Sequence, residues 1–531
     1  MEEAHGSENA RVVRAAGVVG IATMLSRIFG FLRDMIVASL FGAGLTTDAF
    51  FVAFRIPNLL RRLLAEGSLT VSFIPIFTEY LRNRSKEEAL ELADITFTAL
   101  SILLVAVSLT GVLFSPLIVT VMAPGFVKTP AQYDLTVFLT RLMFPYIFLI
   151  SLVALCMGIL NSLRHFAAPA LAPVVLNLAM IAAALTLRGF FQEPITALAI
   201  GVMAGGVLQL VMQWPFLVRM GVHLKPNFHF RHPGMRRIGL LMLPAAFGAA
   251  IYQINIFIGT ILASFLPTGS ISYLYYADRI VELPLGVFAI AVGTATLPSF
   301  SEQVAQGRFE ELKRTIAFSL RIILFITIPA TVALIALRVP IISVLFQRGE
   351  FGIESTLLTA QALLCYAVGL WAFSVIRIIV SVFYSLQDTK APMKAAIVAL
   401  IVNALCSLVL MFPLKHGGLA LATSIASAVN VGMLWVILRR RIGKLLDREF
   451  YRSLARTSLA SLIMWGVILL VGLLYPWNTG GPFHVRFVHL ILCVAAGAVA
   501  FFTSALLLKS PEITDALGSI RRRLKRGPSS E

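Results

Sequence analysis

The sequence predicts an all-α polytopic membrane protein, and three features predict it. Apolar residues make up 58% of the 531 positions and charged residues only 13%, with a mean hydropathy of +0.89. That balance is too apolar for a water-soluble chain of this length. Apolar stretches long enough to span a bilayer recur along the whole chain, and the loops between them alternate between basic and nearly uncharged, the pattern that orients helices in a membrane.

Fourteen transmembrane helices are expected, near residues 13–41, 48–80, 93–122, 133–160, 168–187, 194–218, 237–266, 271–303, 315–346, 355–386, 391–412, 417–438, 453–475 and 485–508. One set of loops carries Arg82 and Arg84, Arg219 to Arg237, Arg308 to Arg314 and Arg439 to Arg448, and the tail adds Arg521 to Arg526. The other set, with GAGLTT and LPTGS, holds no charge or isolated residues such as Lys128, Arg348 and Lys415. The basic side is cytoplasmic, so both termini are expected there and the number of spans is even. The formal charge of +18 follows from these loops and implies no nucleic acid partner. Cys156, Cys365, Cys406 and Cys493 all lie in apolar stretches without a CxxC pair and read as packing residues. No A-x-A-like cleavage site follows the first apolar run, so the amino terminus is expected to be retained.

The chain also repeats itself. Pro75 to Glu79 (PIFTE) matches Pro298 to Glu302 (PSFSE), Ser162-Leu163 matches Ser385-Leu386, and Ala168-Pro169 matches Ala391-Pro392, each displaced by 223 positions. One offset held over several landmarks points to duplication. Six spans separate the equivalents, so the copies share an orientation, as in transporters built from parallel halves. The predicted organisation is an N-lobe over residues 1–225, a C-lobe over 226–445, and spans thirteen and fourteen with a basic tail over 446–531. Two parallel six-helix lobes around a central cavity, plus two extra C-terminal helices, are therefore expected.

Charge inside the spans is the functional signal. The stretch Asp48 to Tyr80 is apolar and long enough to cross a core of ~30 Å, yet it carries Asp48, Arg55, Arg61, Arg62 and Glu66. An arginine near the bilayer centre costs roughly 2.5 to 3.5 kcal/mol on insertion scales, so lipid contact is excluded. Asp48, Arg55 and Arg62 recur at i, i+7 and i+14, with Glu66 four further on, which puts them on one helix face beside Pro57. The first span adds Arg27, Arg33 and Asp34, with Gly30 open to close helix approach; the eighth adds Asp278, Arg279 and Glu282. These residues lie at similar depth, roughly 10 to 25 Å from the uncharged loops at 1.5 Å per residue. Either they line a polar cavity or they form a buried structural ion-pair network.

Arginine rather than lysine dominates this set, which suits bidentate recognition of a phosphate-bearing anion. Arg27, Arg33, Asp34, Arg55, Arg61, Arg62 and Arg279 are the candidate substrate-binding residues. Asp48, Glu66, Asp278 and Glu282 are the candidate gating and charge-network residues, with helix capping and gating both open for Asp48. Asn177 and Asn403 read as amides in helix packing. No Walker A sequence is present, and the eight histidines show no metal-ligand spacing. A transporter rather than an enzyme is expected, without a cofactor, drawing on membrane potential or an ion gradient worth ~2.3 kcal/mol per charge per 100 mV.

At these residues the chain resembles a known family. SRIFGFLRD (26–34), FGAGLTTDAFFVAFRIPNLLRRLLAEGSLTVSFIPIF (41–77), YYADRIVELPLGVFAIAVGTATLPS (275–299) and FYSLQDTKAP (383–392) are similar to the MurJ (MviN) lipid II flippases of the multidrug, oligosaccharidyl-lipid and polysaccharide exporter superfamily. The resemblance implies a flippase of the bacterial inner membrane. It would carry lipid II, undecaprenyl-pyrophosphoryl-MurNAc-pentapeptide-GlcNAc, to the periplasmic leaflet for peptidoglycan synthesis, by alternating access among membrane lipids and in loose association with the cell-wall synthesis machinery. It implies that Arg27, Arg33, Asp34, Asp48, Arg61, Arg62, Arg279 and Glu282 are essential cavity charges, and that Arg55 stands where some members have lysine. It also implies that spans thirteen and fourteen form a groove for the lipid tail. The alternatives are a flippase for another lipid-linked oligosaccharide, a multidrug antiporter, for which the arginine excess is unsuited, and a membrane enzyme acting on the lipid phosphate.

Overall fold

The computed structural model describes residues 2–61 and 69–513, and every regular element among them is helical. The first series is α1 (Glu2–Phe41), α2 (Leu45–Leu60), α3 (Thr70–Asn83), α4 (Lys86–Leu113), α5 (Ser115–Met122), α6 (Pro130–Met143), α7 (Tyr146–Ser162), α8 (Ala167–Thr186) and α9 (Thr196–Arg219). The second is α10 (Pro233–Ser264), α11 (Ser270–Pro284), α12 (Ile290–Ala305), α13 (Phe309–Ala336), α14 (Arg338–Phe346), α15 (Ile353–Ala367), α16 (Leu370–Ser385), α17 (Lys390–Leu414) and α18 (His416–Ile442). The pair α19 (Arg448–Leu474) and α20 (Phe483–Leu507) follows.

The two series keep the register of the sequence repeat. The starts of α4, α5, α6 and α8, at residues 86, 115, 130 and 167, recur at 309, 338, 353 and 390, each 223 positions later. The tight turns after α7 and α16 use a left-handed residue at equivalent places, Arg164 with φ 62° and Gln387 with φ 55°. Several expected single spans are broken in the same way in both series. Residues 93–122 divide into α4 and α5 at Phe114, and residues 315–346 into α13 and α14 at Leu337. Pro116 and Pro340 stand just beyond these breaks, and proline provides no N–H to continue a helical ladder.

Nine helices, or up to ten if the α15–α16 pair bent by 41° counts as one span, are long and apolar enough to cross a membrane among the described residues. Two of the expected spans outside that set, 48–80 and 271–303, are divided into helices that are short individually: α2 and α12 have 16 residues, α11 has 15 and α3 has 14. The outer faces are apolar. The most hydrophobic window of α17 is only 22% buried, and Leu473, Leu474 and Leu507 are 78%, 77% and 78% exposed. Leaving such a side chain in water costs about 1.5–3 kcal/mol relative to burial, a cost that a hydrocarbon surround removes.

The chain divides into two compact units, Met1–Ser272 with Arg348–Phe351, and Tyr273–Gln347 with Gly352–Glu531. In the first unit, Phe73 stacks on Phe77 at 5.1 Å within a buried cluster that includes Tyr80, Leu92, Phe144 and Ile147. Gly111 lets α4 come against Phe144: a Cβ there would stand 1.8 Å from the ring. At the basic end, Arg237 of α10 makes a bidentate pair with Glu79 of α3, at 2.9 and 3.0 Å. At the other end, the turn between α14 and α15 seats on α1. Glu350 N donates to Ser39 O at 2.9 Å, and both Gly42 (φ 68°) and Gly349 (φ 58°) adopt conformations that side chains resist.

In the second unit, Phe300, Ile323, Ile379, Phe383 and Leu434 form one core. A second core joins α19 and α20 to α14 through Met464, Ile468, Cys493 and Phe501 against Leu337 and Val344. The appended pair is thereby built onto the second series. The cysteines are all free, with Cys156, Cys365 and Cys493 buried, in keeping with packing roles.

Candidate functional site

The first unit assembles its charges on α1 and α2. Arg33 and Asp34 are adjacent on α1, and their side chains are only 12% and 4% exposed. Arg33 Nε and Nη2 donate to Asp34 Oδ1 at 3.0 and 2.7 Å, while Nη1 donates to Asn177 Oδ1 at 3.0 Å. Asn177 sits on α8 and in turn donates from Nδ2 to the Ser26 carbonyl at 3.2 Å. Gly30 lies against this amide, where an added Cβ would stand 3.4 Å from Asn177 Nδ2, an ordinary contact distance. A part-buried guanidinium is thus held by the Asp34 carboxylate, the Asn177 amide and, at 3.8 Å, the Met180 sulfur, so its direction is set before any ligand arrives. Asn177, read from sequence as a packing amide, is a partner of the arginine.

Asp48 is almost fully buried, and its carboxylate caps a helix that is not its own. Oδ2 accepts from Gly269 N at 2.7 Å, and Oδ1 accepts from Ser272 N at 2.8 Å and Ser272 Oγ at 2.6 Å. These donors lie at the start of α11, Gly269 just before it and Ser272 in its first turn, where the helix dipole also favours an anion. Of the two roles open for Asp48, capping is therefore realised, but at α11 rather than α2, whose N-cap Gly44 makes no side-chain capping bond. Sequence spacing could not reveal this, because the partners lie 221 and 224 positions away.

Seven residues after Asp48, on the same face of α2, Arg55 Nη1 donates to the hydroxyl of the buried Thr260 of α10. Arg61 Nε donates to Asn58 Oδ1 one turn back at 3.0 Å. α2 runs through Pro57 to Leu60. Arg27 is exposed on α1. Arg62 and Glu66 lie outside the described residues.

In the second unit, α11 carries Asp278, Arg279 and Glu282, all at least partly exposed. Arg279 Nη1 pairs with Glu282 Oε2 at 2.7 Å, Nη2 donates to Tyr275 Oη at 3.1 Å, and the guanidinium lies 4.8 Å from the Tyr275 ring centre. Tyr275 and Thr260 are the site partners that the charge pattern alone does not flag; both lie one helical turn or one helix away from a candidate arginine. Among the described residues no three His, Cys, Asp or Glu side chains gather as metal ligands.

Nine or ten long apolar helices among the described residues, beside shorter helices that carry oriented arginines, fit a multipass membrane transporter. The description "Lipid II flippase MurJ" belongs to a family model that matches residues 37–487, and the chain belongs to that family. A probable lipid II flippase MurJ of Buchnera aphidicola subsp. Acyrthosiphon pisum is 39% identical over 463 residues, 87% of this chain and 91% of that protein. A solved lipid II flippase MurJ in an inward closed conformation is 28% identical with a TM-score of 0.76, over 92% of this chain and 99% of that one. An inward-facing multidrug resistance MATE transporter of the MOP superfamily shares the fold, with a TM-score of 0.65 at 17% identity over 81% of this chain and 98% of that one.

Proposed function

We infer that this chain is a lipid II flippase of the bacterial inner membrane, moving the undecaprenyl-pyrophosphate-linked precursor from the cytoplasmic to the periplasmic leaflet by alternating access. The observation that carries this is the family match over residues 37–487. The part-buried, pre-oriented Arg33 supports it as a group suited to a phosphate.

The finer arrangement is part of the proposal. Fourteen spans, in two parallel six-helix lobes over 1–225 and 226–445 around a central cavity, follow from the repeat and from the shared helix starts. Both termini are cytoplasmic by the loop charges. Arg27, Arg33, Asp34, Arg55, Arg61, Arg62 and Arg279 receive the pyrophosphate in this cavity. Asp48, Glu66, Asp278 and Glu282 hold the charge network that changes as the lobes rock. Asp48 has the clearest gating logic: its bonds to the first turn of α11 exist in one arrangement and must be given up if α2 and α11 part. Membrane potential or an ion gradient supplies the energy, and the chain works in loose association with the cell-wall synthesis machinery.

Complementation tests the reading. In a strain depleted of its own lipid II flippase, the wild-type chain is expected to restore growth and lipid II exposure on the outer leaflet. Growth failure despite normal membrane levels, with another lipid-linked oligosaccharide translocated instead, would reassign the substrate.

A further inference from the structure

The first unit contains a cavity that none of the candidate charged residues of the transport site lines. It has a volume of about 330 Å³ and lies between the 3-10 turn Pro124–Lys128, the start of α6, and the segment that leaves α10. Gly125, Lys128, Thr129, Gln132, Ser264 and Thr268 are among its lining residues. Helix direction puts it at the end of the unit opposite the basic loops, because α4 and α10 both start from those loops and run toward it.

The walls are built rather than incidental. Gly125 N donates to Ser264 Oγ at 3.0 Å, and a Cβ on Gly125 would stand 2.0 Å from the Ser264 carbonyl oxygen, so the two segments meet backbone to backbone. Gln132, in the first turn of α6, is only 3% exposed, yet its Nε2 has no hydrogen-bond partner. An unmet buried donor of this kind costs about 1–3 kcal/mol unless something supplies an acceptor. The positive end of the 14-residue α6 faces the same space, and its N-cap Thr129 makes no side-chain capping bond. Lys128 adds one full positive charge, and no carboxylate lines the cavity.

We propose that this cavity binds a small carboxylate monoanion, with Lys128 as its counter-charge and the Gln132 amide and Thr129 hydroxyl as neutral donors. One ammonium without a second cation matches a singly charged carboxylate better than a doubly charged phosphate. The carboxylate has two sources: the terminal carboxylate of the stem peptide on the carried lipid, or a free small acid. Only the first of these rests on the flippase reading.

The test uses the full chain in lipid nanodiscs, titrated by calorimetry with N-acetyl-D-alanyl-D-alanine, its C-terminal amide, and acetate. Saturable binding of the acid but not the amide is expected, about tenfold weaker in Lys128→Gln and restored in Lys128→Arg. Lys128 is exposed, so its variants test the site without disturbing a core; Gln132→Leu should weaken binding in the same direction. Preference for the dipeptide over acetate assigns the stem peptide as the source, and equal binding assigns a free acid. Equal binding of acid and amide, no saturable binding, or no effect of Lys128→Gln overturns the proposal. Lipid II exposure measured on the same variants separates the two readings: a wild-type chain that binds the acid but does not transport would refute the flippase and leave this site standing.

Discussion

Helix α1 ends at Phe41 and α10 at Ser264, 223 positions apart, and the contrast between them shows what duplication kept and what it did not. Where α1 has Arg33 and Asp34, α10 has Ile256 and Phe257; where the second helix of the first copy has Asp48, Arg55 and Arg61, the second copy has Ile271, Asp278 and Pro284. Helix starts, breaks and the left-handed turn residue are common to both copies, whereas the charges are not. Packing therefore accounts for what is shared, and the arginines within the spans of the first copy require another explanation. A transport site in the first copy supplies one.

Making α1 resemble α10 in steps would break the contrast most sharply. Arg33→Ala leaves the Asp34 carboxylate buried without its guanidinium, and thermal unfolding should show a loss of about 3–5 kcal/mol. The double change Arg33→Ile with Asp34→Phe removes both charges and should recover most of that loss. If the double variant were as unstable as the single one, the charges would be structural. Asp48→Asn comes next: it keeps the shape but removes the charge from the α11 cap, and should cost about 1–3 kcal/mol in the same measurement. The equivalent Ile271→Val should cost only about 0.5–1.5 kcal/mol.

Gly111→Ala probes a packing difference, because the second copy has Leu334 at that place. The added Cβ meets Phe144, and a loss of about 1–3 kcal/mol is expected from overpacking.

The smallest effect concerns the two tight turns. Asp388 accepts from Ala391 N at 3.0 Å and Lys390 N at 2.9 Å and pairs with Arg441 at 2.5 Å, where the first copy has His165 stacked 4.7 Å from Phe216. The Ala391 amide and then the Arg441 charge hold its carboxyl below the ordinary carboxylate range. A carboxyl lowered in the folded state stabilises fully above its unfolded pKa of about 4 and loses that contribution as pH falls through the lowered folded value. Asp388→Ala should cost about 1 kcal/mol at neutral pH, and the difference from wild type should shrink on acidification below pH ~4.

Much of this was legible in the sequence. The repeat offset carries through to helix starts, and the neighbours Arg33 and Asp34 of α1 form an ion pair, while Arg27 is exposed. Other features were not legible, for reasons of distance and local chemistry. Residues 93–122 read as one apolar span, because hydropathy averages over the break that precedes Pro116. The Asp48 cap needs a backbone brought from more than 200 residues away. Asn177 looked like a packing amide because a lone polar residue in an apolar helix does not announce its partner. Thr260 carries no charge at all, and only the fold shows that it receives Arg55.

The central claim is that the charges within the spans, most of them in the first copy, and not the duplicated scaffold, make the transporter. Lipid II exposed on the outer leaflet of flippase-depleted cells carrying Arg33→Ile with Asp34→Phe, at wild-type membrane abundance, tests it most directly. A fall in exposure of at least about tenfold in a stably folded variant is the expected result. Exposure equal to wild type would contradict the claim, since α1 would then transport as well with the residues of α10 as with its own.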